Sequence, residues 1–236
     1  MKNVFYWSIV AALAGLLFGF DTVVISGADK KLQNLWESSD GFHGTVVMGM
    51  ALWGTVVGAL FGSFPTQRLG RKTTLFWIGV LYTISAVGSA LSNDPIVFAV
   101  FRFIGGLGVG ISTIAAPAYI SEIAPPKDRG RLVGLYQFNL VFGILLAFLS
   151  NYLLSDIGDN AWRWMMGVEA FPAILFSLLC LTIPKSPRWL ITRGLVDEAK
   201  AIYAKVDPNG SFDQLLQEIN QSVTSENKSE SIFNKK

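Results

Sequence analysis

Six stretches of the chain are apolar over a long run, and short polar segments separate them: Phe5–Gly27, Gly44–Phe64, Thr73–Ser92, Pro95–Ser121, Leu132–Leu154 and Trp164–Pro184. Each has roughly twenty residues or more, the length a helix needs to cross about 30 Å of hydrocarbon at ~1.5 Å per residue. Lipid offers no partner to a backbone N–H or C=O, so such segments must close their hydrogen bonds internally and form helices. The predicted fold class is therefore an all-α membrane protein. The first segment is too long for the apolar region of a signal peptide, contains Asp21 and lacks a small-residue cleavage site, so it counts as a helix of the mature protein. Pro117 and Pro172 fall inside two spans and predict bends.

After Pro184 the pattern changes. Residues 185–236 are polar, with two amphipathic runs, Val196–Val206 and Phe212–Val223, on either side of a turn at Asp207-Pro-Asn-Gly210. Two domains follow: a transmembrane bundle over 1–184, and a cytoplasmic linker over 185–236 made of short surface helices and a disordered Ser/Asn/Lys-rich tail.

Composition agrees, with 51% hydrophobic and 15% charged residues and a mean hydropathy of +0.44. A net charge of +2 is too small to suggest nucleic acid. Placement of the basic residues matters more. Arg68, Arg71 and Lys72 follow the second span, Lys127, Arg129 and Arg131 the fourth, and Lys185, Arg188 and Arg193 the sixth, while the opposite loops hold only Lys30, Lys31 and Arg163. By the positive-inside rule the protein is a multi-pass protein of the cell membrane with both termini cytoplasmic. Trp7, Trp36, Trp162 and Trp164 are expected near the interfaces. The single cysteine, Cys180, reads as a small buried packing residue.

Small residues recur at four-residue spacing in Gly15/Gly19, Gly54/Gly58/Gly62 and Gly106/Gly110. Such ridges let helix backbones approach closely, which matters where no hydrophobic force drives helices together. The GGLGVG at Gly105–Gly110 sits inside an apolar span with no strand before it, so it is not a phosphate loop. No metal-ligand cluster or nucleophile–base pair accompanies it, and the chain does not read as an enzyme.

Two charges are out of place. Asp21 and Arg102 lie within the first and fourth spans, where an ionisable group must be paired or wetted and commonly marks an ion or substrate path. Counted from the outer ends at ~1.5 Å per residue, both lie about 9–10 Å deep, at the same level. Glu169 lies at a similar depth in the sixth span. A carboxylate between a desolvating environment and a guanidinium is tunable, so proton occupancy can bias the arrangement of helices; a static structural pair is the competing reading. His43, a lone loop histidine, is expected to be solvated.

Several ordered motifs then identify a relative. Arg68-Leu-Gly-Arg-Lys72, Glu122 followed by Arg129-Gly-Arg131, FGFDTVVISG at Phe18–Gly27, RFIGGLGVG at Arg102–Gly110, PAYISEIAP at Pro117–Pro125 and PKSPRWL at Pro184–Leu190 together resemble the sugar porter family of the major facilitator superfamily, most of all its bacterial proton/xylose-type symporters. The resemblance implies the amino-terminal six-helix half of that fold, with inverted 3+3 helix repeats. It implies sugar:proton symport by alternating access, with a carboxy-terminal six-helix half as partner. The substrate would be a monosaccharide, with protons as the coupling ion and no other cofactor. By the same resemblance Asp21 carries the proton, Arg102 is its partner and Glu169 tunes the pair. Phe18 and Gln137 contact sugar, and Arg68, Arg71, Glu122, Arg129 and Arg188 form an inner charge network that latches the outward-facing state. Two positions depart from the pattern: Ile144 replaces a second glutamine, and Lys185 replaces a glutamate beside Arg188. A facilitator, a non-transporting sugar sensor and an inactive fragment remain as alternatives.

Overall fold

The structure, a computed structural model, describes residues 2–207 and 210–221. The central residues of the expected Asp207–Gly210 turn, the end of the Phe212–Val223 run and the expected disordered tail lie outside the described residues. Among the described residues six helices are long and apolar enough to cross a membrane: α1 Asn3–Gly27, α2 Asp40–Phe61, α3 Arg71–Leu91, α4 Pro95–Ile123, α5 Arg129–Leu154 and α6 Ala161–Thr182. Three short helices follow, α7 Pro187–Thr192, α8 Val196–Val206 and α9 over 212–221. The described residues contain no strand.

Boundaries shift where polar residues extend a helix beyond its apolar run. α2 begins at Asp40 rather than Gly44, with the Ser39 hydroxyl accepting the Phe42 N–H. α5 begins at Arg129 rather than Leu132, and α6 at Ala161 rather than Trp164. Two starts share one chemistry. Asp94 caps α4 by accepting the N–H groups of Ile96 and Val97 at 2.8 and 3.1 Å, Ser186 caps α7 by accepting that of Trp189, and each cap is followed by a proline. A side-chain acceptor satisfies the orphan donors, and proline at the first helical position gives up an N–H that had no partner.

The prolines behave differently. α6 is interrupted at Val168 and Glu169, between helical segments Ala161–Gly167 and Ala170–Thr182. Pro172 cannot donate to the Val168 carbonyl and its ring crowds that carbonyl, which accounts for the break. α4 runs through Pro117 unbroken, where Ala115 and Ala116 are fully buried against neighbouring helices. The bend expected at Pro117 therefore does not interrupt the helix.

Glycines set the two closest crossings. On α1, a Cβ at Gly15 or Gly19 would fall on the backbone carbonyls of Tyr136 or Leu140 of α5, and one at Gly143 of α5 on that of Leu16. On α2, Gly54 and Gly58 face the Phe103 and Leu107 carbonyls of α4, while Gly106 and Gly110 of α4 face those of Ala51 and Thr55. Exchanging the first three helices with the last three turns the α1–α5 crossing into α4–α2, so one packing device serves both triplets. α3 packs against α6 and α4, and both α3 and α6 touch α1.

Two apolar cores fill the bundle. One lies toward the end carrying the termini, around Leu17, Ile78, Tyr119, Phe176 and Ile183; the other lies toward the opposite end, around Phe20, Leu32, Phe98, Trp162 and Met165. Trp7 and Trp162 are buried in these cores, Trp36 meets Phe98 edge-on at 5.4 Å, and Trp164 is exposed. Cys180 is fully buried, as its setting predicts. At the linker end, Gly70 opens α3 at φ +86°, a conformation that favours glycine, with the Trp189 ring lying where a Cβ would be. Trp189 Nε1 donates to the Gln67 carbonyl at 2.8 Å and Arg193 donates to those of Gln67 and Arg68, which fastens the linker to the α2–α3 turn.

Candidate functional site

Asp21 and Arg102 meet in the middle of the bundle, each almost fully buried. Arg102 Nη1 donates to Asp21 Oδ1 in a very short contact, and Nη2 donates to the Asp21 carbonyl oxygen at 2.9 Å and to Oδ2 at 3.4 Å. Such a fork fixes orientation as well as charge. Gly105, one turn along α4, makes room: a Cβ there would lie 3.4 Å from Asp21 Oδ1 and against the Ser85 hydroxyl.

Glu169 completes an acid–base–acid cluster. It is 1% exposed and sits at the α6 break, its Oε1 without a hydrogen-bond partner among the described residues, near enough to Asp21 and Arg102 for all three charges to interact. The cluster thus holds two carboxyl groups and one guanidinium. Arg102 Nε also has no hydrogen-bond partner among the described residues.

Sequence reasoning missed the wall of this site. Tyr82, Ser85 and Ser89 of α3 are buried, and none of the three hydroxyls has a hydrogen-bond partner among the described residues. Tyr82 lies close enough to Asp21, Glu169 and Tyr136 to interact with each, and the Tyr136 and Ser112 hydroxyls are 3.3 Å apart. The signal was present as a polar stripe on α3 at i, i+3 and i+7, one face of a helix in an otherwise apolar segment.

Phe18 and Gln137 occupy neighbouring helices at similar height, since Gly15 and Gly19 of α1 abut the carbonyls of Tyr136 and Leu140 on α5. Phe18 is half-buried. Gln137 is exposed and makes no side-chain hydrogen bond among the described residues, which leaves its amide free for a ligand.

At the linker end the structure brings together Arg71 and Glu122. Arg71 Nη2 and Nε lie 2.8 and 3.1 Å from Glu122 Oε1, and Glu122 Oε2 is buried without a partner among the described residues. Arg68 lies over the Phe64 ring at 5.5 Å, and Arg129 and Arg188 are exposed. Among the described residues none of these three arginines makes an ion pair.

The opposite end corrects one expectation. His43 is 4% exposed, not solvated: Nε2 lies 2.8 Å from Asp29 Oδ1 and Nδ1 3.2 Å from the Ser38 hydroxyl. It ties the short helix Asp29–Leu35 to the start of α2. His43→Ala is expected to destabilise the fold by about 1–3 kcal/mol through unmade hydrogen bonds, read as a lower melting temperature in detergent; a variant melting like wild type would make the clasp energetically idle.

A six-helix bundle of paired triplets enclosing an ion pair is the half-unit of the major facilitator fold. The chain belongs to the family described as sugar (and other) transporter, which it matches over residues 7–236. It is 38% identical to the D-xylose-proton symporter of Escherichia coli (strain K12), over 93% of this chain and 51% of the relative. It is also 36% identical to the arabinose-proton symporter of Bacillus subtilis (strain 168), over 92% of this chain and 48% of that one. Among solved structures it superimposes on the proton:xylose symporter XylE bound to 6-bromo-6-deoxy-D-glucose with a TM-score of 0.89 at 35% identity, covering 96% of this chain and 54% of the other. The chain thus spans about half the length of the curated relatives it matches.

Proposed function

We propose that this chain forms the amino-terminal six-helix half of a proton-coupled monosaccharide carrier. In this reading residues 1–184 are the transmembrane unit, 185–236 a cytoplasmic linker, and both termini face the cytoplasm of a cell whose plasma or inner membrane holds the protein. The observation that carries the coupling is the buried cluster of Asp21, Arg102 and Glu169, two acids competing for one guanidinium. Protonating Asp21 removes the charge that Arg102 holds, and Glu169, whose Oε1 has no hydrogen-bond partner among the described residues, would take the guanidinium over. Exchange of partner would couple a proton to the relation between α1, α4 and α6, and so to alternating access.

Sugar would lie against Phe18 and the Gln137 amide, an aromatic wall beside a group that can both donate and accept. The second six-helix half supplies the rest of the site. Xylose, arabinose and related sugars are the candidates, because relatives named as symporters carry them. At the inner end, Arg68, Arg71, Glu122, Arg129 and Arg188 form the latch, with the unpartnered Glu122 oxygen as an acceptor for a cation arriving with closure.

The test is uptake by proteoliposomes holding the complete carrier, with and without an inward proton gradient. At one proton per sugar, one pH unit is worth about 1.4 kcal/mol and supports about tenfold accumulation. Asp21→Asn is expected to abolish that accumulation while leaving exchange across equal pH. Uptake indifferent to the gradient, and unchanged in Asp21→Asn, would make the pair structural and the carrier a facilitator. Sugar binding without exchange would make it a sensor.

A further inference from the structure

An apolar groove of about 220 Å³ runs between α3 and α6, lined by Phe76, Val80 and Ile84 on one side and Ile174, Ser177 and Leu178 on the other. Its floor is closed where a Cβ at Gly79 would strike the Ser177 hydroxyl, so the groove is a surface furrow rather than an entrance to the core. It shares Thr83 and Ile84 with a second apolar furrow of about 490 Å³ between α3 and α4, which continues toward Leu91 and Ser92 at the end of α3 away from the termini. The walls are open: Ile84, Ile174 and Leu178 are all exposed.

The end of the groove nearest the linker carries charge. Lys72 lies one helical turn before Phe76 on the same face of α3, and its Nζ donates to the Leu181 carbonyl at 2.9 Å, close to one turn past Leu178 on α6. Lys185 is near enough for the two ammonium groups to repel, and it is itself only partly neutralised by Glu198 at 3.3 Å across a half-exposed pair. The Lys72 ammonium group, anchored at the linker end of an apolar furrow with Lys185 in reach of its charge, suits an anion with an apolar tail. Free phosphate would satisfy the charges and leave the furrow empty; a zwitterionic lipid would fill the furrow but bring a quaternary ammonium group of its own toward the two lysines.

We infer that the α3–α6 groove binds one anionic phospholipid, with an acyl chain along Phe76, Val80 and Ile84 and the phosphate between Lys72 and Lys185. Its contacts lie outside the Asp21–Arg102–Glu169 cluster, so the site stands or falls independently of sugar transport. Binding there would hold α3 to the segment of α6 beyond its break, the segment that Pro172 makes free to pivot.

The purified chain in non-ionic detergent is titrated with dioleoylphosphatidylglycerol, dioleoylphosphatidylcholine and glycerol 3-phosphate, and retained molecules are counted by native mass spectrometry. One phosphatidylglycerol is expected to remain bound at concentrations where phosphatidylcholine does not, and glycerol 3-phosphate is expected not to bind. Lys72→Gln with Lys185→Gln should weaken phosphatidylglycerol about 25-fold, at about fivefold for each lysine near a lipid surface. Lys72→Arg with Lys185→Arg should retain it, and Val80→Trp, which fills the furrow with the charges intact, should lose it. Circular dichroism and gel filtration confirm that each variant is folded before it is scored. Equal retention of the two lipids, wild-type binding by the double Gln variant or by Val80→Trp, or glycerol 3-phosphate binding as tightly as the lipid would each overturn the proposal.

Discussion

Arg102→Met is expected to lower the stability of the bundle by about 3–5 kcal/mol, the cost of leaving a buried charge without its partner, and most of that loss is expected to return in Arg102→Met with Asp21→Asn. Methionine keeps much of the arginine's volume, so the first substitution removes the guanidinium with little change in packing. It strands two carboxyl groups, since Asp21 and Glu169 are each 1% exposed and share the one cation. Replacing Asp21 with asparagine then removes the charge that has lost its partner while keeping a group able to hydrogen-bond. Thermal unfolding of the four proteins in detergent, followed by intrinsic fluorescence, completes a double-mutant cycle. Additive losses, with no recovery in the double variant, would mean that Asp21 and Arg102 do not depend on each other and would remove the basis for proton coupling.

That pair was legible in the sequence because charge is conspicuous against apolar surroundings and because helical rise alone places both residues at one depth. Glu169 was legible for the same reason, but not its position on a break; that depended on Pro172 acting three residues later, while Pro117, an equally plausible kink, left α4 intact. Serine and tyrosine hydroxyls are frequent in membrane helices and carry no formal charge, so Tyr82, Ser85 and Ser89 passed unnoticed until α3 was seen to turn them inward. His43 shows a different limit. Its burial is made by the short helix Asp29–Leu35 folding back to present Asp29, a tertiary event that local polarity cannot signal. Trp7 and Trp162 lie near the ends of apolar runs, but that they turn into the cores depends on side-chain direction, which those runs do not give.

The glycine pattern was legible as spacing but not as pairing. Four-residue periodicity marked the ridges on α1, α2 and α4, whereas the choice of α5 for α1 and α2 for α4 follows from where the backbones meet. Gly143 of α5, outside any glycine pair in the sequence, proves to be the partner of the α1 ridge. The two triplets use the same contact, and helices that cross at glycine can shift relative to each other without dragging interlocked side chains.

Gly106→Leu is accordingly expected to prevent α2 and α4 from closing, with loss of a monodisperse folded species in detergent, whereas Gly134→Leu on α5 is expected to leave folding unchanged. A Cβ at Gly106 lands on the Ala51 backbone and lies 2.9 Å from the Thr55 nitrogen, so no side-chain rotamer relieves the overlap. Even alanine there should cost about 1–3 kcal/mol, the usual range for overpacking, and leucine more, because in lipid the displaced helices have no hydrophobic force to restore contact. Gly134 has nothing within 4 Å of its Cβ position, so leucine meets open space. Gly143→Leu, which strikes the Leu16 backbone, should repeat the Gly106 defect at the α1–α5 crossing. Gel filtration and melting curves of the three variants decide the matter: a Gly106→Leu protein as stable as Gly134→Leu would mean that α2 and α4 do not pack backbone to backbone, and the shared contact of the two triplets would go with it.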